Sequence, residues 1–149
     1  MTTTQTQSIV VDFDLPHPPA KVWRALTQAD LVEKWLMQND LRPVVGHHFQ
    51  FHDQPVEDWD GIVDCDVLVV DPERTLSYTW RGGSAAQRAS GTDLDTTVTW
   101  TLTPTASGTH VRLEHAGFTS QNAYVYEILN SGWRSKVVTS LARVVDEMA

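Results

Sequence analysis

Cys65 is the only cysteine among 149 residues, so no internal disulfide can brace the fold. Such sparing use of cysteine fits a reducing compartment, and a cytoplasmic location is expected. Long hydrophobic runs are missing as well. No segment approaches the roughly 18 continuous apolar residues of a membrane-spanning helix, so no membrane insertion is expected. The opening MTTTQTQS has neither positive charge nor an apolar stretch, which speaks against a secretory signal. Positive charge is scarce throughout: 11 Lys and Arg face 19 Asp and Glu, for a formal charge of −8, and the cations are dispersed. No basic stripe exists to neutralise a phosphate backbone or grip an anionic membrane, so a nucleic-acid partner is disfavoured. The chain also lacks a Gly-rich phosphate loop, a G-x-S-x-G motif and a carboxylate pair on an obviously inward face. No catalytic residue and no cofactor is assigned on these grounds.

What is present is an ordinary globular composition, 41% hydrophobic and 20% charged, with six tryptophans that need explaining. The length suits one domain over 8–149 behind a disordered tail at 1–7. Ser8–Leu15 alternates Ile9, Val11, Phe13 and Leu15 against polar neighbours, which predicts a first strand. Pro16, Pro18 and Pro19 end it and lead into a short helix, Ala20–Thr27. A second short helix follows, with Asp30 and Glu33 spaced as a capping box before Trp35 and Leu36. Leu41–Val45 and His47–Asp53 read as a hairpin turned at Gly46, with Phe49 and Phe51 on one face.

Beyond an acidic loop at Pro55–Asp60, a long strand places Val63, Cys65, Val67 and Val69 inward. After the turn Asp71–Arg74, Thr75–Arg81 alternates Leu76, Tyr78 and Trp80 against Thr75, Ser77 and Thr79. Gly82–Leu94 reads as a loop or loosely formed strand margin. Asp95–Thr103 and Thr109–His115 form two further strands around a turn at Pro104–Gly108. The last stretch, Gly132–Met148, is an amphipathic helix of about 25 Å, with Trp133, Val137, Leu141, Val144 and Met148 along one arc. A helical pattern over Ser120–Leu129 is out of phase with it, so either one helix kinks near Asn130–Gly132 or two meet there. Closely spaced strands pair antiparallel. The class is α+β: a curved antiparallel sheet of six to seven strands closing on one long C-terminal helix, with two short helices after the first strand.

Four segments in order carry a resemblance to a known family. They are PPAKVWRALTQADLVEKW (18–35), VVDPERTLSYTW (69–80), Gly108-Thr109 through Leu113 with His115 and Gly117-Phe118, and Gly132-Trp133 opening the last helix. Together they resemble the activator-of-Hsp90-ATPase homologues within the START-like (SRPBCC, Bet v 1-like) superfamily. Val45-Gly46 departs from the family's usual double glycine, and Val137 and Ser140 stand where its leucines are common. The resemblance implies a helix-grip fold with an apolar pocket between sheet and C-terminal helix. On that expectation the candidate ligand-binding residues are Trp35, Phe49, Phe51, Val63, Tyr78, Trp80, Trp100, His115, Trp133, Arg134, Val137 and Leu141.

Each candidate has a plainer reading beside it. The rings are either ordinary core or the lining of a pocket, and their polar tips need partners in either case. His115 is either a core histidine bonded to backbone or a pocket anchor. Arg134 falls inside the apolar arc and either snorkels to the rim or supplies a polar anchor. Gly132 reads as the place where the helix changes phase or approaches the sheet closely. His48 and His52 share a strand face about 13 Å apart, too far for one tetrahedral metal, so no metal site is expected. Asp53, Glu57, Asp58 and Asp60 read as a solvated loop or a lid, and Cys65 as a buried inert thiol.

Three functions follow. The first is a small cytoplasmic protein, a monomer or weak homodimer, that binds an apolar or aromatic small molecule in that cavity. The second is a protein-interaction module with a chaperone as partner. The third is a cyclase- or hydratase-type enzyme using His115 or Tyr78.

Overall fold

The computed structural model describes residues 7–55, 59–90 and 93–148. The elements run β1 (Gln7–Leu15), α1 (Pro19–Thr27), α2 (Ala29–Trp35), β2 (Gln38–Asn39), β3 (His48–His52), β4 (Ile62–Asp71), β5 (Thr75–Gly82), α3 (Ala85–Ser90), β6 (Leu94–Thr105) and β7 (Gly108–Phe118). A continuous helical run follows: a 3-10 turn (Ser120–Asn122), α4 (Ala123–Gly132), a π-helical turn (Trp133–Val137) and α5 (Val138–Glu147). The seven strands form one antiparallel sheet in the order β1-β7-β6-β5-β4-β3-β2. This is the α+β sheet-on-helix architecture that the alternation of the strands implied, and the helix-grip fold that the family resemblance implied.

One face of the sheet is apolar and faces the helices, built from alternate residues such as Ile9 and Val11 on β1, Val98 and Trp100 on β6, and Val111 and Leu113 on β7. The other face is polar and cross-braced. His110 lies 3.0 Å from both Asp12 and Asp14, and Arg112 Nε donates to Asp12. Arg81 bridges Asp66 and Asp95, and His48 Nδ1 is 2.9 Å from Asp66. Gly108 matters because a Cβ there would overlap the carbonyl oxygen of Leu15, where the β6–β7 hairpin crosses the end of β1.

Several local expectations are corrected. α1 starts one residue early, with Pro19 at its first turn as the ring's fixed φ favours. α2 has no capping box: Gln28 is its N-cap without a side-chain hydrogen bond, and Asp30 sits inside the first turn. The hairpin partner of β3 is Gln38–Asn39 rather than Leu41–Val45. Asn39 Oδ1 accepts from Leu41 N, and backbone turns close through Val44 and His47, so the chain coils from 41 to 47 before Gly46 reaches Val67 O at positive φ. On β4 the register shifts between Val67 and Val69, which turns Val69 outward and brings Val70 toward the core. The bulge places two residues against one, and strict alternation cannot show it.

Within Gly82–Leu94, read as a loop, lies α3. Its start is a reciprocal cap, since Ser84 N donates to Gln87 Oε1 (2.9 Å) and Gln87 N donates to Ser84 Oγ (3.1 Å). Pro104 belongs to β6, and the tight turn falls between Thr105 and Gly108. The tail read at residues 1–7 lies outside the described residues except for Gln7, which starts β1. Glu57 and Asp58 of the acidic loop lie outside them too.

The phase break near residue 130 resolves as a π turn inside one helix. Val138 N reaches back five residues to Trp133 O, so one extra residue is accommodated and the apolar stripes of α4 and α5 are rotated relative to each other. Gly132 is not the cause. Its φ of −64° is helical, and a Cβ there would meet nothing within 4 Å.

Candidate functional site

Ten of the twelve candidate residues meet beneath the C-terminal helix. Trp35 ends α2, Phe49 and Phe51 stand on β3, Val63 on β4, Tyr78 and Trp80 on β5, Trp100 on β6, His115 on β7, Trp133 on the π turn and Leu141 on α5. All ten are buried. The strand residues are there because period-2 alternation puts them on the sheet's inner face, and neighbouring strands bring them side by side. Phe51 is thus directly opposite Val63, and Val98 opposite His115.

The rings form one connected cluster. Trp35 meets Trp100 edge to face at 5.5 Å, and Trp100 meets Trp133 at 6.0 Å. Trp133 meets Trp80 at 5.6 Å, and Trp80 meets Phe51 at 5.4 Å. Phe49 and Tyr78 continue it at 5.4 Å. His115 packs on Phe118 at 4.6 Å and on Trp80 at 5.4 Å. Tilted and edge-on contacts of this kind suit the ring quadrupoles.

The polar tips of Trp35, Tyr78, Trp100, Trp133 and His115 all have partners. Trp35 Nε1 donates to Ala25 O (2.8 Å), and Trp100 Nε1 donates to the Tyr78 hydroxyl (3.2 Å). Trp133 Nε1 donates to His115 Nδ1 (3.0 Å). His115 Nε2 lies 2.7 Å from Thr96 Oγ1, which in turn donates to Trp80 O at 2.8 Å. The proton positions follow from donor and acceptor types. An indole N–H only donates, so Nδ1 carries a lone pair and the neutral ring has its proton on Nε2. That proton goes to the Thr96 oxygen, whose own proton goes to the carbonyl. His115 is therefore bonded to two side chains rather than to backbone. Burial pushes its pKa down to about 3.

Two candidates lie apart. Val137 is half-buried at the end of the π turn. Arg134 is outside: Nε donates to Asn130 Oδ1 (2.8 Å) and Nη2 donates to Val10 O (3.0 Å). Its head is exposed, as the snorkelling reading has it, and makes no bond within the ring cluster. It ties the helix to the outer carbonyl of β1, an edge strand. Sequence reasoning placed it in the apolar arc by assuming an ideal α-helical rotation through the π turn. It missed Thr96 and Phe118, both buried at the same end of the cluster. Parity was the available signal, since Thr96 shares the face of Val98 and Trp100.

The remaining candidates fall outside the cluster or are inert within it. His47 Nε2 is 2.9 Å from Asp40 O, while His48 binds Asp66, so each ring is engaged separately on the surface. Among the described residues no His, Cys, Asp or Glu group is placed to hold a metal. Burial first, then the nearby Asp64 and Asp66 charges, raises the Cys65 thiol well above its ordinary pKa. Burial likewise raises the Tyr78 phenol. Two surface grooves, of about 290 Å³ beside Leu36 and His52 and about 310 Å³ between Arg24, Leu31 and Met148, include none of the twelve.

A seven-stranded antiparallel sheet gripping a long C-terminal helix, with aromatic side chains between them, defines a START-like helix-grip protein. Within that class the chain belongs to the family of the Activator of Hsp90 ATPase homolog 1-like protein, whose model matches residues 16–146. Among solved structures it is similar to protein MLL2253 from Mesorhizobium loti, with 43% identity, TM-score 0.83, and coverage of 96% of this chain and 99% of that one. Protein BH1534 from Bacillus halodurans is 26% identical, with TM-score 0.75 and coverage of 96% and 99%. CalU16 from Micromonospora echinospora shares the fold at 24% identity, with TM-score 0.72 and coverage of 95% and 78%. No curated protein matches the chain.

Proposed function

We propose that the protein binds an apolar or aromatic small molecule between its sheet and its C-terminal helix, with α4 as the wall that moves. One observation carries this reading. The helix that covers the ring cluster is in two unequal halves joined by a π turn. α5 fully buries Leu141, Val144 and Val145, whereas α4 fully buries no residue and rests on the core through the half-buried Val125, Tyr126 and Leu129. A helix held only by half-buried side chains is less firmly fixed than its fully anchored continuation, and the rings beneath it offer apolar surface with few polar groups, as small-molecule sites do. We place the protein in the cytoplasm on its single, buried cysteine. The test is titration with a neutral environment-sensitive dye such as Nile red, following emission and thermal midpoint, with Trp133→Ala as the variant of enlarged interior. Enhanced, blue-shifted emission and a raised midpoint are expected. No emission change and no shift in either protein rejects the reading.

A second reading, a chaperone-interaction module, draws on the surface. Tyr124 and Ile128 lie one turn apart on α4 and are 77% and 52% exposed. Adding the protein to Hsp90 and measuring its ATPase rate discriminates. A rate change that Tyr124→Ser with Ile128→Ser abolishes favours this reading, and an unchanged rate removes it. For the enzymatic alternative, His115 and Tyr78 are poor acid–base groups as arranged: both histidine nitrogens are engaged, and the Tyr78 oxygen accepts from Trp100.

A further inference from the structure

We infer that the seat now filled by the Trp133 indole is the ligand site, and that it selects a two-ring aromatic molecule carrying one hydrogen-bond donor on its edge. This rests on the proposed small-molecule function and specifies its ligand. The seat is defined by what surrounds Trp133: Trp80 at 5.6 Å, Trp100 at 6.0 Å and His115 at 5.9 Å, each presented at 61–81° to the indole plane. Three walls of ring make a slot for a flat apolar body. At one point the slot is polar. There His115 Nδ1 points at the indole N–H from 3.0 Å.

The polarity of that point is fixed from outside the slot. Trp80 O is acceptor-only, so the Thr96 hydroxyl donates to it and offers its lone pair to His115 Nε2–H. The other nitrogen is left as an acceptor. An occupant with an N–H or O–H satisfies it. An occupant with only carbon there, or only an acceptor, leaves a buried lone pair unpaired.

The chain itself supplies the way out for Trp133. It is the first residue of the π turn, and the helix before it has only half-buried residues on the core, Val125, Tyr126 and Leu129, while the helix after it has three fully buried ones. Withdrawing Trp133 therefore displaces α4 and leaves the α5 anchor in place. π turns of this kind accommodate a change of helical register locally. Trp133 is then a built-in stand-in for the ligand, matching it in ring size and in its single donor.

Two measurements test this. In Trp133→Gly, indole is expected to bind at least about tenfold more tightly than indene, its isostere without the N–H. In the unaltered protein, 2-naphthol is expected to bind with a similar advantage over 2-methoxynaphthalene and to remove the Trp133 indole N–H resonance from its buried position. Equal affinities within these pairs, or 2-naphthol binding that leaves the Trp133 resonance unmoved, overturns the inference. If the unaltered protein binds Nile red but shows no donor preference, this inference fails and the proposed function stands. If it binds none of these molecules while Trp133→Gly prefers indole, the proposed function and the displacement of Trp133 fail, and only the donor requirement of the seat survives. Should Trp133→Gly not fold, the naphthol pair decides alone.

Discussion

Protonating His115 would turn its Nδ1 lone pair into a second N–H aimed at the indole N–H of Trp133, and no nearby carboxylate is in its hydrogen-bond chain to compensate. Burial therefore holds the group neutral, with a pKa of about 3 against an ordinary 6.5. Between those values the unfolded chain binds a proton that the folded protein refuses. Stability from this group is complete above pH 6.5 and drains away as the pH falls toward 3. His110 has the opposite sign: Asp12 and then Asp14 raise its pKa, so its contribution is present below 6.5 and is lost as the pH rises through the folded value. It is half-exposed on the sheet's outer face, and the buried residue dominates the acid limb. Nitrogen-15 spectra at pH 5 are expected to show His115 as the neutral Nε2–H tautomer while the unfolding midpoint declines. A His115 imidazolium in the folded protein at that pH would refute this assignment. Two glycines give an independent check. Gly132 is helical with open space, so Gly132→Ala is expected to raise stability by about 0.5–1 kcal/mol. Gly108→Ala forces a methyl onto Leu15 O and is expected to lower stability by more than about 1 kcal/mol. Urea denaturation separates the two, and equal effects would contradict both placements.

At the scale of elements, the C-terminal helix holds its two halves unequally. Leu141→Ala on α5 removes a fully buried side chain and is expected to cost about 2–5 kcal/mol. Replacing Tyr124 and Ile128 of α4 with serine is expected to change stability by less than about 0.5 kcal/mol each. Amide exchange should follow the same division, faster in α4 than in α5; uniform protection along both would remove the movable wall. The same helix shows what a sequence can reveal. Its phase break at Asn130–Gly132 was visible, because apolar spacing records which way each half faces. The π turn that absorbs it was not, because the extra residue follows from Trp133 docking on His115, a contact 18 residues away in the chain. Arg134 fell inside the apolar arc for that reason, with a rim position and a polar anchor both open. The strands were legible wherever tertiary contact left alternation intact, which placed the seven strand candidates from Phe49 to His115, while helical spacing placed Trp35, Trp133 and Leu141. Alternation failed at the bulge beside Leu68, where one inserted residue reverses the faces of Val69 and Val70. α3 was missed as a Gly- and Ser-rich stretch, although Ser84 and Gln87 have the spacing of a reciprocal cap.

Across the whole molecule, charge is divided between layers. The helical segments 19–35 and 120–148 hold six of the 11 Lys and Arg but only five of the 19 Asp and Glu, so the rest of the chain holds the other five cations and fourteen acids. The negative potential thus belongs to the sheet side, where carboxylates such as Asp12, Asp66 and Asp95 are braced by Arg112 and Arg81. A ligand approaching this protein meets a field that disfavours anions, and the seat beneath the helix offers a neutral histidine with no cation in its hydrogen-bond chain. Both effects point the same way. An anionic ligand is slowed in encounter and then loses the hydration of its charge inside a slot of rings, and an unpaired buried carboxylate is far more costly than an unpaired neutral group. 2-Naphthoate is therefore expected to bind at least about tenfold more weakly than 2-naphthol at neutral pH. The two contributions separate with salt. At about 0.5 M ionic strength the Debye length falls to about 4 Å, so the encounter penalty is screened and the association rate of naphthoate rises. The desolvation penalty is local and buried, so the gap in affinity persists. Stopped-flow fluorescence reads the rate and calorimetry the affinity at low and high salt, and naphthoate binding as tightly as naphthol would require a cation in the seat and so refute its composition.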